Sequence, residues 1–159
     1  RGELPGSGGF QLSHAFGLDC RKFSLLLPKF EMYETGGQLR RASKSPTANV
    51  VEGYGRRRYK AEYIRFVIFA HVSVEDSIEW LEYIRDLYPN LADRAGELID
   101  DADKLGAKLN RFIRSIKKNH RTDPNVGFVG PAQPTTQIAH PASHISLFRS
   151  QVSSLRRVV

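Results

Sequence analysis

Eight cations stand between Gln38 and Arg65 in QLRRASKSPTANVVEGYGRRRYKAEYIR: Arg40, Arg41, Lys44, Arg56, Arg57, Arg58, Lys60 and Arg65. Only Glu52 and Glu62 oppose them, so this segment carries about +6 of the chain's formal +7. The chemistry open to it is neutralisation of a polyanion. Other reactive combinations are thin. Asn49 and Glu52 have no nucleophile, base or metal ligand at a useful spacing. Their expected role is a buried hydrogen-bond network, with Glu52 paired to Arg40, Arg41 or Arg56. His71 and Glu75 stand at i and i+4, but one such pair is weak grounds for a metal, and the Glu-x-x-His of di-iron bundles is absent. GYGRRR lacks the third glycine and the preceding strand of a phosphate loop. Cys20 is the one cysteine, which excludes a disulfide framework and a Cys-based zinc site. Its place on an apolar stripe predicts a buried, inert thiol. No catalytic residue, metal or cofactor is expected, and an enzyme is the least favoured class.

The elements that hold these residues read as helices. With 159 residues and 40% hydrophobic content, the chain suits one domain with a modest core. The glycine-rich residues 1 to 10 read as a flexible lead. A first helix shows Leu12, Phe16, Cys20, Phe23 and Leu27 at steps of three or four and should stop before Pro28. A second starts near Phe30, with Glu31 and Glu34 in its first turn. Pro46 should bend or break it near Ser45, and a glycine in Gly53-Tyr54-Gly55 should supply a left-handed stop. The third runs from about Tyr59 to Leu87, burying Tyr63, Phe66, Val67, Ala70, Val74, Ser77, Ile78, Leu81 and Ile84. Trp80, beside Tyr83, reads as a bundle or subunit contact. After a turn at Pro89-Asn90, the fourth carries Leu91, Ala95, Leu98, Ala102, Leu105, Leu109, Phe112 and Ile116. The fold class is therefore all-α, four helices over residues 11–120 with the long neighbours that a bundle needs. Residues 121–159 have no period and read as a disordered tail, within which Ile145 to Val159 is weakly amphipathic.

Charge is laid out in blocks. From Glu75 to Asp103 ten acids face two bases, a net of −8. Then Lys104, Lys108, Arg111, Arg114, Lys117, Lys118 and Arg121 follow with no acid between them, a net of +7. Antiparallel packing of the last two helices would set the acids around the Pro89 turn and bring the basic start of one beside the basic end of the other. Arg56, Arg57 and Arg58 near a helix start oppose its dipole, which favours a role in binding phosphate or an acidic protein. No apolar run nears the ~20 residues a membrane span needs, and the first ten residues lack a signal peptide's hydrophobic core. A cytoplasmic protein is the expectation.

LPKFEMYE, QLRRASKS and NVVEGYGRRRYKAEYIRFVIFAHVS, in that order, resemble the four-helix bundle protein family that includes proteins encoded within intervening sequences of bacterial ribosomal RNA genes. The family's fixed positions fall on Gln38, Arg40, Arg41, Ala42, Ser45, Asn49, Glu52, Gly53, Gly55, Arg56, Phe66 and Ala70 in register. The resemblance implies an up-down antiparallel four-helix bundle, often a homopentamer. It also implies kinship with the accessory protein of diversity-generating retroelements, a basic pentameric barrel that works with a reverse transcriptase and its template RNA. Pro46 departs from the aliphatic residue usual in the family, and the first helix lacks the usual Trp/Ala-rich start.

Together these readings predict a non-enzymatic accessory or assembly subunit binding RNA or DNA backbones. Arg56, Arg57, Arg58, Lys60, Arg65, Lys108, Arg111, Arg114, Lys117 and Lys118 would meet the phosphates. Gln38, Arg40, Arg41, Asn49 and Glu52 would form a structural polar network. The expected partners are further copies of the chain, a nucleic acid, and a reverse transcriptase or other acidic protein, with no membrane. The alternative is a homo-oligomeric structural or interaction module without a nucleic-acid role, its acidic and basic ends pairing between subunits.

Overall fold

The computed structural model describes residues 7–120; the predicted tail 121–159 and the first six residues of the predicted lead lie outside the described residues. The elements are α1 (Ser7–Ser24), α2 (Lys29–Tyr33), α3 (Thr35–Gly55), α4 (Lys60–Leu87), a 3-10 turn (Pro89–Leu91) and α5 (Ala92–Asn119). The long helices form a ring of neighbours, α1 on α3, α3 on α4, α4 on α5 and α5 on α1. The short turns on either side of α4 make successive helices antiparallel, which is the up-down four-helix bundle. Both α4 and α5 have 28 residues, about 42 Å at 1.5 Å per residue.

The inner faces follow the apolar spacing most closely in α4 and α5. Val67, Ala70, Val74, Leu81 and Ile84 meet Ala95, Leu98, Ala102, Leu105 and Leu109 in one core. Near the ends the stripe drifts. Phe66, Leu91 and Phe112 are half-buried rather than buried, while Ile99 and Ile113 are buried in addition to the predicted set. Trp80 is half-buried against the core, edge-on to Tyr83 at 6.4 Å.

Four expectations are corrected. First, α1 begins at Ser7, inside the predicted lead, because Phe10 packs on the core and its ring stacks on His14. Second, Leu12 is exposed and Ser13 is buried in its place. The inner face of α1 is built there from Ser13, Gly17 and Cys20, which let α1 approach α3 closely. A Cβ on Gly17 would stand 3.0 Å from the Ser43 carbonyl oxygen, and Thr47 Oγ1 donates to Ser13 Oγ at 3.2 Å.

Third, the predicted second helix is broken at Glu34, not near Ser45. Glu34 has φ −77 and ψ −91 between α2 and α3, whereas α3 continues through the buried Pro46 without interruption. Polar contacts brace α3 around the proline. Asn49 Nδ2 donates to the Ser45 carbonyl (3.1 Å) and to Ser45 Oγ (3.0 Å), and Ser73 Oγ of α4 donates to the same hydroxyl at 2.9 Å. Fourth, α3 ends without a left-handed glycine. Arg56 caps it at φ −94 and ψ 10, and Gly53 instead serves close packing, since a Cβ there would lie 3.0 Å from Phe66 Cβ.

Candidate functional site

The α3–α4 turn and the end of α5 come together at one end of the bundle. Arg56, Arg57 and Arg58 occupy the turn, and Lys60 opens α4. Lys60 Nζ donates to the Lys117 carbonyl oxygen at 2.7 Å, joining the first turn of α4 to the last turn of α5. His120 Nε2 lies 2.6 Å from the Arg57 carbonyl oxygen. A carbonyl only accepts, so this ring nitrogen carries the proton and donates. Tyr63 holds the junction from inside, edge-on to Phe112 at 5.8 Å and to His120 at 5.6 Å. Thus the two basic segments of the sequence, more than 50 residues apart in the chain, are direct neighbours.

The cations at this end fall into two chemical groups. Arg58, Lys60, Lys108, Arg111, Arg114, Lys117 and Lys118 enter no ion pair among the described residues. Except for half-buried Lys60 and Lys108, all are exposed. Their charge is available to an external anion. Arg56, Arg57 and Arg65 are engaged. Arg56 Nε meets Glu52 Oε1 at 2.7 Å and its Nη1 lies 3.8 Å from Glu62 Oε2, while Arg65 Nη1 lies 3.4 Å from Glu62 Oε1. Each of the three guanidinium groups also covers an aromatic ring: Arg57 over Tyr54 (4.1 Å), Arg56 over Phe66 (5.0 Å) and Arg65 over Phe69 (5.4 Å).

The expectation that Arg56, Arg57 and Arg58 oppose a helix dipole is corrected by their position. They follow the last residue of α3 as well as preceding α4. Arg56 caps α3, and Arg57 Nη1 donates to the Tyr54 carbonyl oxygen at 2.9 Å. Cations there complement the negative end of α3, so their sign has a local structural cause.

The predicted polar network is likewise divided. Glu52 takes Arg56, one of its three expected partners, but at the surface and not in a buried network, and Arg41 is exposed as well. Arg40 is half-buried and donates to Ser24 Oγ at 3.0 Å, tying α3 to α1. Gln38 is half-buried, and Asn49 serves the Pro46 region within α3. The interior polar contacts run instead through small hydroxyls, with Ser77 donating to the Ser73 carbonyl oxygen and Ser73 to Ser45 Oγ. The apolar period places Ser77 on the inner face but passes over Ser73, because a serine on a helix reads as polar surface until its partner is known.

Elsewhere the predicted chemistry is quiet. Asn110 Nδ2 lies 2.7 Å from His71 Nε2, and Glu75 Oε1 lies 4.0 Å from the same nitrogen. Among the described residues no three or more metal-ligating side chains gather. Cys20 is fully buried, and burial pushes its thiol up to about 12 despite the neighbouring Ser43 hydroxyl. Among the described residues, no helix is long and apolar enough to cross a membrane.

The aromatic partners of the arginines were not singled out from the sequence. Two of the three had a readable signal, since Tyr54 and Arg57 stand at i and i+3 and Arg65 and Phe69 at i and i+4. The Arg56–Phe66 contact spans the turn and had none. In comparisons with known proteins, a family model described as 23S rRNA-intervening sequence protein matches residues 9–111, from the first turn of α1 into α5. No curated protein matches the chain.

Proposed function

The chain belongs to the 23S rRNA-intervening sequence protein family, and from that membership we propose that it is a non-enzymatic accessory subunit that binds nucleic-acid backbones at the basic end of its bundle. The observation that carries this reading is the junction of Lys60 with the end of α5, around which Arg58, Arg111, Arg114, Lys117 and Lys118 have no acidic partner among the described residues. Phosphates meeting these side chains release counterions from the nucleic acid, giving affinity that is strong at low salt and indifferent to base sequence. The family description speaks of ribosomal RNA and directs the choice to RNA first. The setting is the cytoplasm, with a reverse transcriptase or another acidic protein as a candidate companion.

A salt titration of RNA affinity tests the reading. Binding should weaken steeply with salt, and the combined Arg114→Ala, Lys117→Ala, Lys118→Ala variant should flatten the log–log slope by about 2. Absence of binding at low ionic strength, or an unchanged slope in the variant, rules it out.

A second, compatible reading is self-assembly, as the homopentamer common among similar bundles. It is favoured by apolar side chains left on outer helix faces: Leu12 and Leu18 on α1, Ile68 and Val72 on α4. An apolar seam should hold as salt is raised, whereas pairing of acidic and basic ends between subunits should dissociate. Sedimentation across the same salt series separates the two.

A further inference from the structure

We infer that the arginine–aromatic strip along the α3–α4 turn and α4 is a stacking platform for unpaired bases, so that the protein prefers single-stranded RNA to duplex. This rests on the nucleic-acid reading above and adds the form of the ligand. The strip takes Tyr54 of α3 with Arg57 of the turn, and Arg56 of the turn with Phe66, Phe69 and Arg65 of α4. Phe66 and Phe69 are themselves edge-on at 5.8 Å. Phe69 on α4 and Tyr59 just before that helix are both exposed.

Two features argue that these arginines serve as planes more than as charges. The charges of Arg56 and Arg65 are already opposed by Glu52 and Glu62, which weakens their pull on phosphate without altering their flat shape. A guanidinium lying over a ring keeps its outer face open, and a base stacks on a guanidinium plane as it does on an aromatic ring. The unpaired cations, by contrast, lie chiefly on α5 and include the lysines, which act as point charges. The strip meets the phosphate-neutralising end of α5 at the turn, where His120 Nε2 donates to the Arg57 carbonyl oxygen, and stacking joined to phosphate neutralisation is the combination that holds a single strand. A duplex keeps its bases stacked inside and has nothing to place on the strip. A surface that neutralised phosphate alone would favour the duplex, whose charge density is higher.

The test is fluorescence anisotropy of the full chain with a labelled, unstructured RNA strand and with the same strand annealed to its complement, at one low salt concentration. The single strand should bind at least about fivefold more tightly. Arg57→Lys with Arg65→Lys keeps both charges and removes the planes, and Phe69→Leu removes the exposed ring. Each should abolish most of the preference while leaving the salt slope and the helical circular dichroism unchanged. Equal or stronger binding of the duplex, or full preference in the lysine variant, overturns the inference and leaves backbone binding intact. Failure to bind either RNA overturns the proposed function itself.

Discussion

Cys20 shows how a single buried side chain links packing to pH. It sits at zero exposure on the inner face of α1, and desolvation, the largest cause, raises its pKa from 9.0 to about 12. The buried Ser43 hydroxyl sits beside it and pulls the other way. The native thiol should resist a thiol-specific reagent at pH 8, reacting at the rate of global unfolding; fast labelling of folded protein would contradict the burial. The sign of the pH effect follows from linkage. The unfolded thiol ionises first, so the full contribution is present below about pH 9 and is lost as pH rises toward the folded value. Within that interval each pH unit costs about 1.4 kcal/mol. Replacing Cys20 by Ala should flatten the alkaline limb of a stability–pH profile measured by denaturant unfolding.

At the level of elements, α3 is the anomaly. Pro46 lies within a 21-residue helix and is buried, yet the interruption falls at Glu34, where α2 hands over to α3. Proline within a helix costs about 3 kcal/mol relative to alanine, and losing two buried methylenes costs about 1.6 kcal/mol before any relaxation. The helix term is the larger, so Pro46→Ala should stabilise the protein by about 1 kcal/mol, read as a higher Tm. A lower Tm would mean that the proline's packing outweighs the strain it imposes. The Ser45, Asn49 and Ser73 contacts hold α3 to itself and to α4 here. This gives Asn49 a role beside the proline rather than in a network with Glu52.

Across the whole molecule, antiparallel packing turns blocks of charge in the chain into charged ends. Like charges converge where α4 begins and α5 ends, and only some are relieved by Glu52 and Glu62. Exposed ion pairs elsewhere, such as Lys104 with Asp101 and Lys22 with Asp19, are each worth a fraction of a kcal/mol at most. Crowding at the ends should therefore outweigh pairing. Raising salt from low ionic strength to about 0.5 M should increase Tm by a few degrees as repulsion is screened. A fall in Tm over that range would show that the surface pairs dominate.

What could be read from the sequence was whatever depends on one segment at a time. The apolar steps of α5 and α4, the proline turn between them and the two charge blocks are properties of a single helix, because side chains three and four apart share a face whatever lies opposite. The order of the helices, with short turns, was enough to bring Lys60 and Lys117 to the same end. Tertiary contact decided the rest. Ser13 replaced Leu12 on the inner face because α3 approaches there, the Arg56 group acquired a favourable dipole because α3 ends where α4 begins, and Glu52 turned outward. Spacing within one segment records some of the arginine contacts, Glu52 with Arg56, Tyr54 with Arg57, and Arg65 with Glu62 and Phe69. Arg56 reaches Phe66 and Glu62 only because the chain turns between α3 and α4, and no spacing within one helix records that.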